Sequence, residues 1–328
     1  MEREALRNYR VRMDSNARNG ACGVRSEDMP TTARQRELAH RHLGFAIFLV
    51  ASSAVFWKPL ANLIAFSLSH DYASHIILIV PVSAVLVYLK RDQIFSTVRA
   101  DPIAGSGLFL AGMIVWWLAE RRVDASVQGN ELTLVSLAIV VVWFSGFVFW
   151  YGLRAFARAA FPLFFLLLLV PIPERLVEGL ILFLQAGSAT VAYWILRMLD
   201  VSVFKEGFVL RFPTIDIEVA KECSGIRSSL ALLISTLLAG EFVLRSGWRR
   251  FLLVLSIIPI VIAKNSVRIV TLSLLGIYVD KRFMHSWLHT SGGFLFYILG
   301  LLALVPVMVL LKRGESSAGV EVKPMSLR

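Results

Sequence analysis

The stretch FLLVLSIIPIVIAKNSVRIVTLSLLGIYV, residues 251–279, decides the fold class of this chain. It is longer than the about 20 mainly apolar residues that a helix needs to cross a membrane. Its centre nevertheless contains Lys264, Asn265 and Arg268. Ionisable groups at membrane depth cost about 2.5–3.5 kcal/mol on insertion scales, and they tend to mark function. The stretch therefore predicts a membrane-spanning helix that carries part of a site.

The composition of the whole chain agrees with that interpretation. Of 328 residues, 57% are hydrophobic and 17% are charged, against about 45–50% and about 25% in an ordinary globular chain. The mean hydropathy is +0.68. The net charge of +11 is explained by basic cytoplasmic loops. It does not indicate nucleic-acid binding, because no basic run is interleaved with stacking aromatics.

We predict an all-α polytopic membrane protein with about eight transmembrane helices. Lys58-Pro59 interrupts the first apolar run, so that helix is expected to kink. Residues 1–42 are expected to form a disordered basic cytoplasmic tail, and residues 312–328 a short polar cytoplasmic tail. The eight predicted spans lie at 43–67, 76–89, 103–119, 132–150, 159–170, 226–239, 251–279 and 292–311.

Two segments between the fifth and sixth spans differ from the rest. Residues 176–199 have a helical period but carry Glu178, Gln185 and Arg197, which predicts a peripheral helix in the membrane interface. Residues 201–220 have β character, because apolar and acidic side chains alternate from Ile215 to Val219. Lys205-Glu206-Gly207 supplies a turn within that segment.

Basic clusters predict the orientation of the chain. With residues 1–42 inside and 176–199 not spanning, four basic clusters fall in the cytoplasm, as the positive-inside rule requires. These are Lys90-Arg91, Arg154/Arg158, Arg245/Arg249/Arg250 and Lys312-Arg313. Arg121-Arg122 and Lys281-Arg282 fall outside and count against this topology. It places 71–75, 171–222 and Cys223 on the outer face of the cytoplasmic membrane.

Three polar segments stand where apolar residues would be more stable in lipid: 222–229, 264–268 and 285–293. Cys223 directly precedes a predicted span, and helix N-termini, arginines and protonated histidines lower the pKa of a thiol. Arg268 is suited to stabilise a thiolate or an oxyanion, and a histidine to transfer protons. By residue type alone, Cys223 is better explained by inert packing than by catalysis. Arg268 is as well explained by snorkelling to the interface, and His285 and His289 by loop positions.

The ordered set of motifs resembles the exosortase/archaeosortase family. Cys-Ser-Gly at Cys223, Ser224 and Gly225 precedes an apolar helix, and Asn265-x-x-Arg268 follows in the next long span. His289-x-x-x-Gly293 then precedes the final span. Earlier segments are also similar: Ser74-His75, Phe161-Pro162 through Pro171-Ile172-Pro173, and 203–207 followed by 219–225. The likeness covers about residues 43–311.

The resemblance implies a membrane cysteine peptidase or transpeptidase of the bacterial exosortase type. It assigns the nucleophile to Cys223, the arginine to Arg268 and the histidine to His289. His285 is second choice, because it lacks a glycine four residues later, and Ser224, Gly225, Asn265 and Gly293 are supporting residues. The implied substrates are exported proteins with a C-terminal signal: a Pro-Glu-Pro-like motif, an apolar helix and a basic end. Membrane lipid is a further expected partner, and no cofactor or metal is implied.

Two other functions stay open at this point. One is a transporter or a scaffold for exopolysaccharide export, although the chain shows no similarity between two halves of the kind that transporters often have. The other is a membrane acyl- or glycosyltransferase, for which paired carboxylates or a histidine-led site would be expected. The polar N-terminal extension and the lack of an appended soluble domain depart from the family pattern, so the subfamily stays open.

Overall fold

The computed structural model describes residues 31–121, 128–213, 215–219, 226–279 and 293–318. They divide into two compact units. The first comprises residues up to Phe66 together with Ile76–Pro171, and the second comprises Ser67–His75 and the chain from Ile172 onward.

The first unit is helical. Asp101 caps the N-terminus of the helix that begins at Pro102, where the Asp101 carboxylate accepts a hydrogen bond from Ala104 N–H at 3.1 Å. Gly152 kinks the helix Gln128–Arg158 at a φ of 84°. A side chain there would collide with the Arg99 carbonyl oxygen, 1.8 Å from the Cβ position. The helices are α1 (Thr31–Val55), α2 (Trp57–Ser69, which ends in the second unit), α3 (Ile76–Leu89), α4 (Arg91–Ile94), α5 (Pro102–Arg121), α6 (Gln128–Arg158) and α7 (Ala160–Phe165) with a 3₁₀ turn at Leu166–Leu169.

The second unit combines helices with a small sheet. It includes a 3₁₀ turn at Asp71–Ala73, and the rest of the unit begins at Ile172. The further elements are α8 (Glu174–Met198), β1 (Phe204–Glu206), β2 (Val209–Arg211), β3 (Asp216–Glu218), α9 (Ile226–Val243), α10 (Gly247–Leu255), α11 (Ile257–Tyr278) and α12 (Gly293–Ala318).

The predicted fold class is confirmed. Seven helices of the described chain are long and apolar enough to cross a membrane: 35–55, 102–121, 131–158, 174–198, 226–243, 247–278 and 294–315. Two further predicted spans are shorter apolar helices, at Ile76–Leu89 and Ala160–Leu169. The expected interruption near Lys58-Pro59 is present, because α1 ends at Val55 and α2 begins at Trp57.

The three polar residues of α8 differ in their exposure. Gln185 is buried, and Glu178 and Arg197 are exposed near the two ends of the helix. α8 also runs alongside α11 in the same direction. Leu184 clusters with Ile257 and Val261, and Ala192 clusters with Ile269 and Val270. Length, hydropathy and this packing give α8 the properties of a crossing helix, and its interfacial position stays a prediction.

The β character of 201–220 is confirmed as a three-stranded antiparallel sheet in the order β1-β2-β3. Asp200 ends α8 in the left-handed conformation, with φ of 58°. Val201 N–H then donates to Leu196 O at 3.0 Å, as in a Schellman motif. Gly207, with φ of 59°, occupies the first position of the two-residue turn between β1 and β2, where glycine is favoured.

Both predicted tails are shortened by helix: the first helix starts earlier and the last helix ends later than the sequence predicts. Helix α1 starts at Thr31 rather than at residue 43, and α12 continues to Ala318 rather than ending near 311. Arg41 stabilises the early start, because it pairs with Glu37 one turn away and donates to Trp150 O at 2.8 Å. Residues 1–30 and 319–328 lie outside the described residues.

Candidate active site

Helix α11 carries a run of buried polar residues in the middle of an apolar span. Lys264, Asn265, Ser266 and Arg268 are all at most 9% exposed. In lipid, side chains of this kind are found facing protein or a cavity rather than hydrocarbon. Lys264 and Arg268 stand four residues apart, so they lie on one face of the helix. The polar centre of the sequence 251–279 is therefore inside the protein.

Hydrogen bonds fix α11 against its two neighbours. Ser266 Oγ donates to Ser188 O of α8 at 3.0 Å and to Ile262 O at 2.7 Å. Lys264 Nζ donates to Ser228 Oγ in the first turn of α9. Helix α12 also approaches this point, because a Cβ at Gly300 would lie 3.3 Å from Lys264 Cδ. Lys264 thus stands between α9 and α12.

The sheet packs on the same pair of helices. Leu210 and Ile217 on its buried face cluster with Ala192 of α8 and with Ile269 and Val270 of α11. The sheet therefore packs on the turn of α11 that directly follows Arg268.

The last described residue before the cysteine segment is also held in place. Val219 N–H donates to Phe208 O at 2.9 Å, and Val219 O accepts a hydrogen bond from the buried Gln185 of α8. Val219 is itself buried. The sheet and α8 therefore fix the chain four residues before Cys223.

The Ser74-His75 segment belongs to the second unit, although the helices on either side of it lie mainly in the first. His75 Nδ1 donates to Tyr72 O at 3.1 Å, and Ser67 Oγ donates to Ala73 O at 2.8 Å. The 3₁₀ turn contacts α9. Burial and the nearby Glu174 carboxylate raise the pKa of Tyr72 above its usual value, so this hydroxyl stays protonated at neutral pH.

The structure places only part of the predicted site. Arg268 and Asn265 are buried on α11, and Gly293 begins α12. Cys223, Ser224, Gly225, His285 and His289 lie outside the described residues, so their roles stay predictions. No three His, Cys, Asp or Glu side chains converge within the described ranges in a way that would hold a metal ion.

Sequence reasoning missed the hydrogen bonds of Gln185, Lys264 and Ser228. Lys264 and Ser228 stand inside two of the three polar segments, so their residue types already marked them. Local sequence cannot show the partner of Gln185, because Val219 is 34 residues away in the sequence. A buried amide in an apolar helix predicts a distant hydrogen-bond partner as readily as water.

Together, the apolar helices, the sheet and the buried Lys264–Arg268 face define a polytopic membrane protein with a polar centre inside its second unit. The chain belongs to the transmembrane exosortase family (Exosortase_EpsH), whose family model matches residues 57–306. Neither a curated protein nor a solved structure matches the chain. The matched range includes all three polar segments, 222–229, 264–268 and 285–293. Members of this family are membrane enzymes that process the sorting signals of exported proteins.

Proposed function

We propose that this protein is a thiol peptidase or transpeptidase that cleaves C-terminal sorting signals of exported proteins at the outer face of the cytoplasmic membrane. Cys223 is the nucleophile, Arg268 stabilises the oxyanion, and His289 transfers protons. The observation that carries this proposal is the buried polar face of α11, which stands beside α9 and α12. These are the two helices that the sequence segments of Cys223 and His289 directly precede.

Chain connectivity supports the grouping of the three residues. Cys223 is three residues before Ile226, and an extended chain spans at most about 3.6 Å per residue. Cys223 therefore lies within about 11 Å of the start of α9, whose first turn is bonded to Lys264 through Ser228. His289 is four residues before Gly293, which gives a limit of about 14 Å from the start of α12.

The reaction follows from the chemistry of these groups. The Cys223 thiolate attacks the carbonyl carbon of the scissile peptide, and Arg268 donates to the oxyanion of the tetrahedral intermediate. His289 protonates the leaving amine, the C–N bond breaks, and a thioester to Cys223 remains. His289 then takes a proton from water or from an amine acceptor, which attacks the thioester and releases Cys223.

The charges of the second unit support an outward-facing site. Arg249 and Arg250 lie in α10 and pair with Glu315 of α12 and Glu241 of α9. Basic residues collect on the cytoplasmic side of membrane proteins. Arg268 follows Gly247 by 21 residues, or about 32 Å at the rise of an α-helix. A hydrocarbon core is about 30 Å thick. In the proposed orientation, Arg268 and the sheet therefore lie toward the outer side of the membrane, whether or not α8 crosses it.

The expected substrate is a tail with a Pro-Glu-Pro-like motif, an apolar helix and a basic end. Such a tail inserts in the membrane with its basic end inside and its short motif outside. The motif then meets the site at the level of Arg268. An edge of the small sheet is suited to pair with the extended motif by backbone hydrogen bonds.

A reporter protein with such a tail from the same genome tests the proposal. It is co-expressed with the wild type, with Cys223→Ala or with Cys22→Ala, and an immunoblot measures C-terminal shortening. We expect shortening with the wild type and with Cys22→Ala but not with Cys223→Ala. Equal shortening with Cys223→Ala in a strain without other such enzymes would contradict the proposal.

A further inference from the structure

The first unit contains a groove that plays no part in the site around Arg268. Its volume is about 590 Å³, within the about 300–1,000 Å³ of typical small-molecule sites. Helices α1, α3 and α6 and the segment around Leu163 and Leu166 line it. All of its lining residues belong to the first unit.

The groove is long, mostly apolar and polar at one end. Helix α1 lines it from His42 to Ser53, a length of about 16 Å at the rise of an α-helix. At the polar end, His42 Nδ1 and Tyr151 Oη are 2.8 Å apart. The Phe95 ring packs with its centroid 4.9 Å from each of these two rings. Leu49, Val80, Leu163 and Leu166 line the apolar part.

The polar end is also positively charged. Arg91 lines the groove, and its guanidinium stacks 4.2 Å over the Tyr88 ring. The Asp92 carboxylate lies 3.9 Å from Arg91 Nε and is 92% exposed. Because this carboxylate is well solvated, Arg91 is still able to bind another anion. Lys90 and Arg154 add positive charge near the ends of α3 and α6. This end is the cytoplasmic one by the positive-inside rule.

The length of the groove fits an alkyl chain. The apolar part of α1 begins at residue 43, so His42 marks the boundary between polar and apolar surroundings. A depth of about 16 Å from there reaches the middle of a hydrocarbon core about 30 Å thick.

We propose that this groove binds a membrane phospholipid with an anionic headgroup. The headgroup phosphate lies beside Arg91 and the His42–Tyr151 pair, and an acyl chain fills the groove toward Leu163 and Leu166. A sorting tail does not fit, because its basic end would meet the positive end of the groove. The thirty residues before Thr31 do not fit either, because they contain no apolar run.

Photolabelling of the purified full-length protein in vesicles tests the proposal. The probes are phosphatidylglycerol and phosphatidylcholine, each with a photoactivatable acyl chain at the same mole fraction, and mass spectrometry maps the labelled peptides. We expect the groove peptides of α3 and α6 to be labelled about fivefold more by the anionic probe, the preference that one arginine near the surface provides. Arg91→Gln should remove this preference, and Arg121→Gln should retain it.

A substitution that fills the groove provides a second test of lipid binding. Ala84 lines the groove on an exposed face of α3, so Ala84→Trp should suppress labelling of the groove peptides by both probes at least fivefold. Equal labelling by the two probes would show nonspecific lipid contact only and would overturn the proposal. Unchanged labelling of a monodisperse Ala84→Trp protein would overturn it as well. Neither readout depends on peptidase activity.

Discussion

Among the described residues, Arg268 is the one on which the proposed chemistry depends most. It is 9% exposed, and its guanidinium offers a planar fork of donors that an ammonium does not reproduce. Lys264, one turn earlier, is engaged with Ser228, so it is not placed to replace Arg268.

We expect Arg268→Lys to lower the rate of tail processing by about 10²–10³, as removal of an oxyanion donor does. The initial rate of reporter shortening measures this at matched protein amounts. Arg313→Lys, on an exposed position of α12, is the matched control and should process normally. A rate for Arg268→Lys within twofold of the wild type would make Arg268 a structural anchor.

Gln185 acts through Val219 rather than on the substrate. Gln185→Ala leaves the buried Val219 carbonyl without this donor, which costs about 1–3 kcal/mol and loosens the chain before Cys223. We expect slower processing and faster proteolytic cleavage after Val219, with normal membrane insertion. Thr190→Ala on the same helix removes only a local bond to Ala186 O and should change neither readout. Identical proteolysis of the two variants would remove the proposed role of Gln185.

At the scale of elements, close contact between α8 and α11 holds the site together. A Cβ at Gly187 would lie 3.0 Å from Ile262 Cδ1, whereas a Cβ at Gly179 on the same helix would meet no atom within 4 Å. Small residues at such contacts allow helices in membranes to pack closely.

We therefore expect Gly187→Leu to lower the thermal unfolding midpoint by several degrees, because overpacking costs about 1–3 kcal/mol. Gly179→Leu should leave the midpoint unchanged or raise it, since leucine favours a helix more than glycine does. A fluorescence unfolding curve in detergent measures both. Equal midpoints for the two variants would show that α8 and α11 do not pack as described.

The elements that the sequence predicted well are those determined by local pattern. The sheet was predicted because alternation from Ile215 to Val219 is visible within five residues. The polar centre of α11 was predicted because Lys264 to Arg268 interrupt one apolar run. The packing of α8 was not predicted, because it depends on Ser188 and Gln185 reaching Ser266 and Val219 far along the chain. The start of α1 at Thr31 likewise depends on the contact between Arg41 and Trp150.

For the whole molecule, the proposed orientation predicts the reactivity of its two cysteines. Cys223 should react with a membrane-impermeant maleimide added to intact cells, because it lies at the outer face. Cys22, in the basic N-terminal segment, should react only after the cells are opened. Single-cysteine variants, Cys22→Ala and Cys223→Ala, assign each signal. The reverse pattern would invert the topology and place the site inside the cell.

The proposed mechanism requires a covalent thioester between Cys223 and the sorting signal. The direct measurement is mass spectrometry of acid-quenched protein after incubation with a tail peptide in vesicles. We predict an adduct on the peptide that contains Cys223, equal in mass to the acyl fragment before the cleaved bond and removed by hydroxylamine. Cys223→Ala should show neither adduct nor cleavage. Cleavage by Cys223→Ala, or an adduct on another residue, would contradict the account.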